Sequence, residues 1–324
     1  MSSAFLALLV LLFAVGIYFA FSDQSEGFFL KKYANADAKF YNEYIITSVD
    51  EGVCMLDFDG KVVKSYEELK ASWMYAYPEE GLVVYSNHDN ETHLLKLDEN
   101  MDMISDEVIM STDLLAIDPT ICKAGDTYLV THTTIDGTIN NPDPNGENGS
   151  YTLQLYYSED LKTFEHRTTI ISEKQDIEDI DMVYDEGRLY CFYEKENYDK
   201  GPSKICMRIS VDEGISWSEE NILIENGGDN EMACLLKEDD GWRLFYSSDK
   251  ERPGESYHGA SAYSAFFDAD FQHIPEYDEK VDMKDNLNVR FYEVKQIEDK
   301  LYLMFANDYM TDKNFVLKSI DDQK

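Results

Sequence analysis

Four residues stand at the head of recurring segments of this chain, and their types suit acid–base chemistry. Asp118 belongs to IDPTICKAGDTYLVTHTT (117–134), Asp181 to IDMVYDEGRLYCFYEKE (180–196), Glu231 to EMACLLKEDDGWRLFYSSD (231–249) and Arg290 to VRFYEVKQIEDKLYLMFAND (289–308). Glycosidic-bond cleavage needs one carboxylate as base, one carboxyl held protonated as acid, and surroundings that separate their pKa values. A third acid nearby raises the acid's pKa by like-charge repulsion. Glu178 and Asp179 lie just upstream of Asp181. Trp73, Tyr75 and Trp242 offer aromatic faces on which a sugar ring can stack, with core packing as the alternative role for each. Acids make up 65 of 324 residues, so turn capping or cation binding competes with catalysis for Asp118 and Asp181. For Arg290 the competing role is neutralisation of buried acid.

The elements that must position these groups are short strands. Each segment reads as an apolar strand, a turn with Gly or an acid, and a strand ending in aromatics. Weaker copies are WMYAYPEEGLVVYSNHD (73–89) and NEYIITSVDEGVCMLDFDG (42–60). The recurrence, every ~45–60 residues, leaves room for four strands per unit, which is the signature of a β-propeller. The fold expected is all-β, with five or six blades of four-stranded antiparallel sheet. The last unit ends after about three strands, so N-terminal strands are expected to close the ring. The innermost strand of each blade starts near the mouth of the central channel, where residues from different blades converge.

On these residues the chain resembles the family 43 glycoside hydrolases, of the arabinanase, levansucrase and invertase group of five-bladed propellers. Ile117-Asp118-Pro119, with Gly125-Asp126-Thr127-Tyr128-Leu129 after it, is similar to their first motif. The run from Ile180 to Tyr190 is similar to the second, and Glu231 with Gly241-Trp242-Arg243-Leu244-Phe245-Tyr246 to the third. The resemblance implies inverting hydrolysis of a neutral polysaccharide or oligosaccharide. It implies Asp118 as general base, Asp181 as the acid that tunes and orients, and Glu231 as general acid. Arg290, Trp73, Tyr75, Trp242 and Glu178 would contact the sugar. Met232-Ala233 replaces the Gly-Pro usual after the acid Glu, and one or two units precede the first motif, which implies a shifted order or a sixth blade.

Ser210-Val211-Asp212-Glu213-Gly214-Ile215-Ser216-Trp217 matches the SxDxGxxW Asp-box pattern, and Ser158–Phe164 carries a shortened form. In such a turn the Asp carboxylate accepts from turn N–H groups while the aromatic packs between strands, a structural role. The box also raises a sialidase-like reading. That reading is weak, because three arginines must clamp the substrate carboxylate and no Arg precedes Arg167. A third reading is a non-catalytic, membrane- or envelope-anchored propeller that binds glycans or proteins, which the extra N-terminal units and the missing Gly-Pro favour.

The formal net charge of -37 excludes nucleic acid as a partner, since phosphate recognition needs a basic surface. The five cysteines form no CxxC pair and no metal-ligand spacing. No cofactor is implied, although the acids leave room for a structural cation in the propeller channel. Ala4 to Phe21 reads AFLALLVLLFAVGIYFAF without a charge. That is close to the length that spans a bilayer core as a helix. No basic residue precedes it, which favours a retained anchor over a cleaved signal. The organisation expected is residues 1–24 as anchor or signal, 25–40 as linker and 41–324 as propeller. The propeller would be extracytoplasmic, held to the membrane through residues 4–21, or secreted if that segment is removed. Two sequons, at Asn90 and Asn148, suit an exported domain.

Overall fold

The computed structural model describes residues 28–30, 37–49, 52–87, 89–137, 150–197, 201–281, 289–307 and 314–321. The segment 4–21, and with it the expected anchor, lies outside the described residues, as does Asn148. Among the described residues no helix is long and apolar enough to cross a membrane.

The strands form six four-stranded antiparallel sheets arranged as the blades of a propeller. The innermost strands of blades I to VI are Ala38–Tyr41, Trp73–Tyr77, Leu115–Ala124, Asp176–Asp185, Asn230–Glu238 and Arg290–Ile297. Blade VI is completed by the N-terminal strand Phe28–Leu30, which pairs antiparallel with Asn314–Asp321. The ring is therefore closed by the two ends of the chain, and the propeller has six blades. Residues 25–40, expected as a linker, contribute this closing strand and the start of the inner strand of blade I.

Period-two alternation explains why the blades stack. In Arg188–Glu196, Leu189, Cys191 and Tyr193 enter the core between blades III and IV. Tyr190 and Phe192 point the other way, into the core between blades IV and V. Each sheet is thus apolar on both faces, and six clusters fill the six seams. Burying a large apolar side chain at such a seam contributes about 1.5–3 kcal/mol, so the stability of a blade depends on its neighbours. All five cysteines are buried thiols in this packing.

The Ser210–Trp217 turn follows the same logic at the periphery. Asp212 Oδ1 accepts from the Ser216 N–H at 2.9 Å, and Ser210 Oγ accepts from the Gly214 N–H at 2.7 Å. Gly214 has φ +86°, and a Cβ there would lie 2.2 Å from Leu155 Cδ2, so only glycine fits. Trp217 packs against the seam between blades III and IV.

Candidate functional site

The inner strands of blades III and IV carry the same irregularity. Pairing jumps from Ile117 to Thr120 in one and from Glu178 to Asp181 in the other. Each bulge holds an aspartate at positive φ, Asp118 at +45° and Asp179 at +51°. A non-glycine residue in this region is uncommon and costs of order 1 kcal/mol, and bulges re-aim side chains. Both aspartates stand six residues before the last residue of their strands, Ala124 and Asp185. Asp179, not Asp181, is therefore the structural counterpart of Asp118. Asp181 falls at the position of Thr120.

The two bulges touch. The Asp179 N–H donates to Asp118 Oδ2 at 3.1 Å. The Asp179 carboxylate is hydrogen-bonded to the Glu231 side chain, and Arg290 Nη2 lies 3.7 Å from Asp179 Oδ1. Glu231 also bonds the Tyr257 hydroxyl. Carboxylate oxygens of Asp179, Glu194 and Glu231 all lie within 4.8 Å of one another. The structure thus draws Asp118, Asp179, Glu231 and Arg290, from four consecutive blades, into one group.

Below them is a cavity of about 310 Å³ on the propeller axis, lined among others by Asp118, Asp179, Asp181, Trp73, Tyr75 and Arg290. Asp181 is in the cavity but not in the group: its Oδ1 accepts from the Tyr75 hydroxyl at 2.9 Å. A second set of charges lines the wall. Asp37 accepts from the Met74 N–H at 2.8 Å and lies 3.5 Å from Lys39 Nζ. Glu293 accepts from the Phe40 N–H.

Electrostatics follow from burial among like charges. Burial, then the charge of Asp179, pushes Asp118 up to about 7, against the Asp179 N–H and Arg290, which pull it down. Burial, then Asp179, pushes Glu231 well above the ordinary carboxyl range. Asp179 is raised by burial, with Arg290 and its bond to Glu231 opposing. Glu178 is raised by burial and by Asp118, and Glu194 by burial and by Glu231. Asp181 is raised by burial, with Tyr75 opposing. Burial pulls Lys39 down, but Asp37, Glu293, Asp179 and Asp181 outweigh it and the net direction is up. Several carboxyl groups in a confined space thus differ in how firmly they hold a proton, which is the requirement for separate acid and base roles.

Of the aromatics expected to meet a sugar, Trp73 and Tyr75 line the cavity. Trp242 does not. It is 4% exposed, in the seam between blades IV and V, stacked on Phe271 with ring centroids 5.4 Å apart. Its even phase in Gly241–Ser248 turns it to that seam with Leu244 and Tyr246. Glu178 is partly buried one residue from the bulge, and Arg290 faces the cavity. Sequence reasoning missed the central position of Asp179, and also Lys39, Glu293 and Glu194. Counting back from the hairpin, instead of matching Ile-Asp to Ile-Asp, would have found Asp179.

No family model and no curated protein matches the chain. Solved structures share its fold. An α-L-arabinanase from Penicillium chrysogenum, complexed with arabinobiose, superposes with a TM-score of 0.50 at 11% identity, covering 78% of this chain and 93% of that one. An α-L-arabinofuranosidase from Fusarium graminearum, in complex with an iminosugar inhibitor, gives 0.50 at 10% identity, covering 77% and 92%. A GH32 β-fructofuranosidase from Bombyx mori gives 0.46 at 14% identity over 77% of this chain, which spans 59% of that enzyme's length. At these identities the likeness is one of fold, shared with β-propellers of the glycoside hydrolases.

Proposed function

We propose that the channel mouth is the active site of a glycosidase of the furanosidase type, acting on a neutral oligosaccharide or polysaccharide. The observation that carries this reading is the convergence of Asp118, Asp179 and Glu231 over one axial cavity, with Arg290 beside them. The propeller fold supports it, being that of enzymes whose names give an arabinanase and an arabinofuranosidase. So many acids at the mouth repel anionic sugars, which favours a neutral substrate over a sialoside.

Glu231 is the general acid, because burial and the charge of Asp179 make it hold its proton more firmly than an ordinary carboxyl. Asp118 is the base that activates water. Asp179 is hydrogen-bonded directly to Glu231, so no water stands between the two carboxyl groups. It therefore tunes Glu231 rather than serving as the base. This moves the tuning role, which the family 43 resemblance gives to Asp181, onto its neighbour two residues earlier. Asp181 and Tyr75 shape the cavity floor. The chemistry is inversion: Asp118 takes a proton from water, the water oxygen bonds the anomeric carbon, and Glu231 gives its proton to the departing oxygen.

The test is release of sugar from arabinan, xylan and fructan panels. Turnover by the parent chain and its loss in Glu231→Gln are expected, whereas glycan binding without turnover would make this a binding propeller. Outside the site, the reading that suits the uncharged segment 4–21 is a propeller anchored or exported to the extracytoplasmic side.

A further inference from the structure

The loop that joins Gly241–Ser248 to Ser261–Asp268 in blade V brings to the channel mouth a side chain that the proposed chemistry leaves without a role. The Tyr257 hydroxyl is hydrogen-bonded to Glu231. The Arg290 guanidinium lies over the Tyr257 ring, 5.8 Å from its centroid. One aromatic residue thus touches both the proposed general acid and the cation that sits 3.7 Å from Asp179.

The loop is built to hold that position. Asp249 is 0% exposed, and its Oδ2 accepts from the Gly254 N–H at 2.9 Å and the Ser256 N–H at 2.8 Å. Its Oδ1 accepts from the Asp229 N–H at 2.8 Å. A single buried carboxylate therefore ties the loop to the segment that leads into Glu231. Ser256 Oγ adds a second tie, donating to Asp229 Oδ2 at 2.7 Å. Gly228 lets the two segments approach, since a Cβ there would lie 2.8 Å from Asp249 Oδ1 and 2.7 Å from the Lys250 backbone nitrogen. Ser256, next to Tyr257, sits at φ +49°. Strain of this kind persists only where surrounding bonds over-determine it, as the ties to Asp249 and Asp229 do here.

We propose that Tyr257 is a positioning residue: its hydroxyl fixes the rotation of the Glu231 carboxyl, and its ring holds Arg290 beside Asp179. The role rests on the glycosidase reading of the mouth. A carboxyl that protonates a departing oxygen must present one of its own oxygens to it, and a donor on the other keeps the group from turning away. As Glu231 gives up its proton it becomes a carboxylate, and a phenol O–H already aimed at it stabilises the charge that develops. The same bond pulls Glu231 down, against burial and the charge of Asp179. Tyr257 thereby keeps the acid from holding its proton too firmly to release it.

The experiment compares the full chain with Tyr257→Phe, which keeps the ring beneath Arg290 and removes only the hydroxyl. On a glycan that the parent hydrolyses, kcat should fall ~10- to 100-fold, with KM within about threefold of the parent. The alkaline limb of kcat/KM should move to higher pH, because a hydrogen bond to the charged form of Glu231 is lost. NMR titration of isotope-labelled glutamate carboxyls, with the Glu231 signal identified by its loss in Glu231→Gln, should show the same upward shift with no substrate present. Ser256→Ala, which loosens the loop from Asp229, should move both readouts in the same direction by a smaller amount. A tyrosine that only packs would change Tm and leave the limb and the Glu231 signal in place, and that result overturns the proposal. A working parent matched in kcat by Tyr257→Phe overturns this role alone. A parent that turns over no glycan overturns the glycosidase reading, and this role with it.

Discussion

The N–H of Asp179 donates to Asp118 Oδ2 at 3.1 Å, and both residues occupy the same bulge in adjacent blades at positive φ. One bulge thus supplies a donor to the carboxylate that the other has turned into the channel. The pair is a repeat feature used asymmetrically. Both line the axial cavity, but Asp118 accepts from the Asp179 N–H while the Asp179 carboxylate is engaged by Glu231 and Arg290.

That asymmetry can be tested by substitution. Asp179→Asn should lower kcat at least ~100-fold, because it removes the charge that keeps Glu231 protonated. Asp181→Asn, which alters the contact with Tyr75 and the charge facing Lys39 but touches neither Glu231 nor Asp118, should cost less than about tenfold. The comparison is made on whichever glycan the parent turns over, and the reverse order would return the tuning role to Asp181.

The pH profile carries a sign. As the base, Asp118 must be ionised, and its pKa is raised to about 7. The rate kcat/KM should therefore rise with pH through about 7 and fall only where Glu231 loses its proton. Arg290 lowers the pKa of Asp118, so Arg290→Met should move the acidic limb to higher pH. A limb near pH 4 in the parent would mean that Asp118 is not the base.

Stability should depend on pH in the same direction as the buried acids. Asp118 and Glu293 rise from 3.8 and 4.5 to about 7 on folding. For a group raised in the folded state, the stabilising contribution is full below the unfolded pKa and is lost as pH climbs through the folded one. Tm measured in chelator should therefore be higher at pH 5 than at pH 8, most of the change falling between about pH 4 and 7. A flat or opposite dependence would show that these groups ionise freely in the fold.

Interblade packing gives a fourth expectation. Phe192 is fully buried in the seam between blades IV and V, beside Phe271 and Tyr190. Phe192→Ala should destabilise the propeller by about 3–5 kcal/mol, read by denaturant unfolding. Val211→Ala, at a residue 74% exposed, should change it by under ~0.5 kcal/mol.

The architecture was legible because the strand–turn–strand unit recurs, and because Tyr, Val, Leu and Phe alternate in phase to feed two seams at once. Ring closure was legible from a last unit one strand short. The blade number stayed open between five and six because NEYIITSVDEGVCMLDFDG looked like only part of a unit. Residues 38–41 in fact begin it as blade I. At the site, Asp118, Glu231 and Arg290 were found from their places in the repeat. Asp179 was passed over because a bulge shifts the face a residue presents, and motif matching cannot see an extra residue. Trp242 was misassigned for the opposite reason: alternation alone turns it into the seam. Glu194 left no signal, since only the stacking of blades brings it beside Glu231.

The most direct test of the account is the leaving-group dependence of Glu231→Gln. A missing general acid matters only when the departing oxygen needs a proton. On the natural glycan this variant should lose ~100- to 10,000-fold in kcat/KM. On a dinitrophenyl glycoside of the same sugar, whose leaving group departs as an anion, it should stay within about tenfold of the parent. Equal losses on both substrates, or none on either, would contradict the assignment of Glu231 as the proton donor.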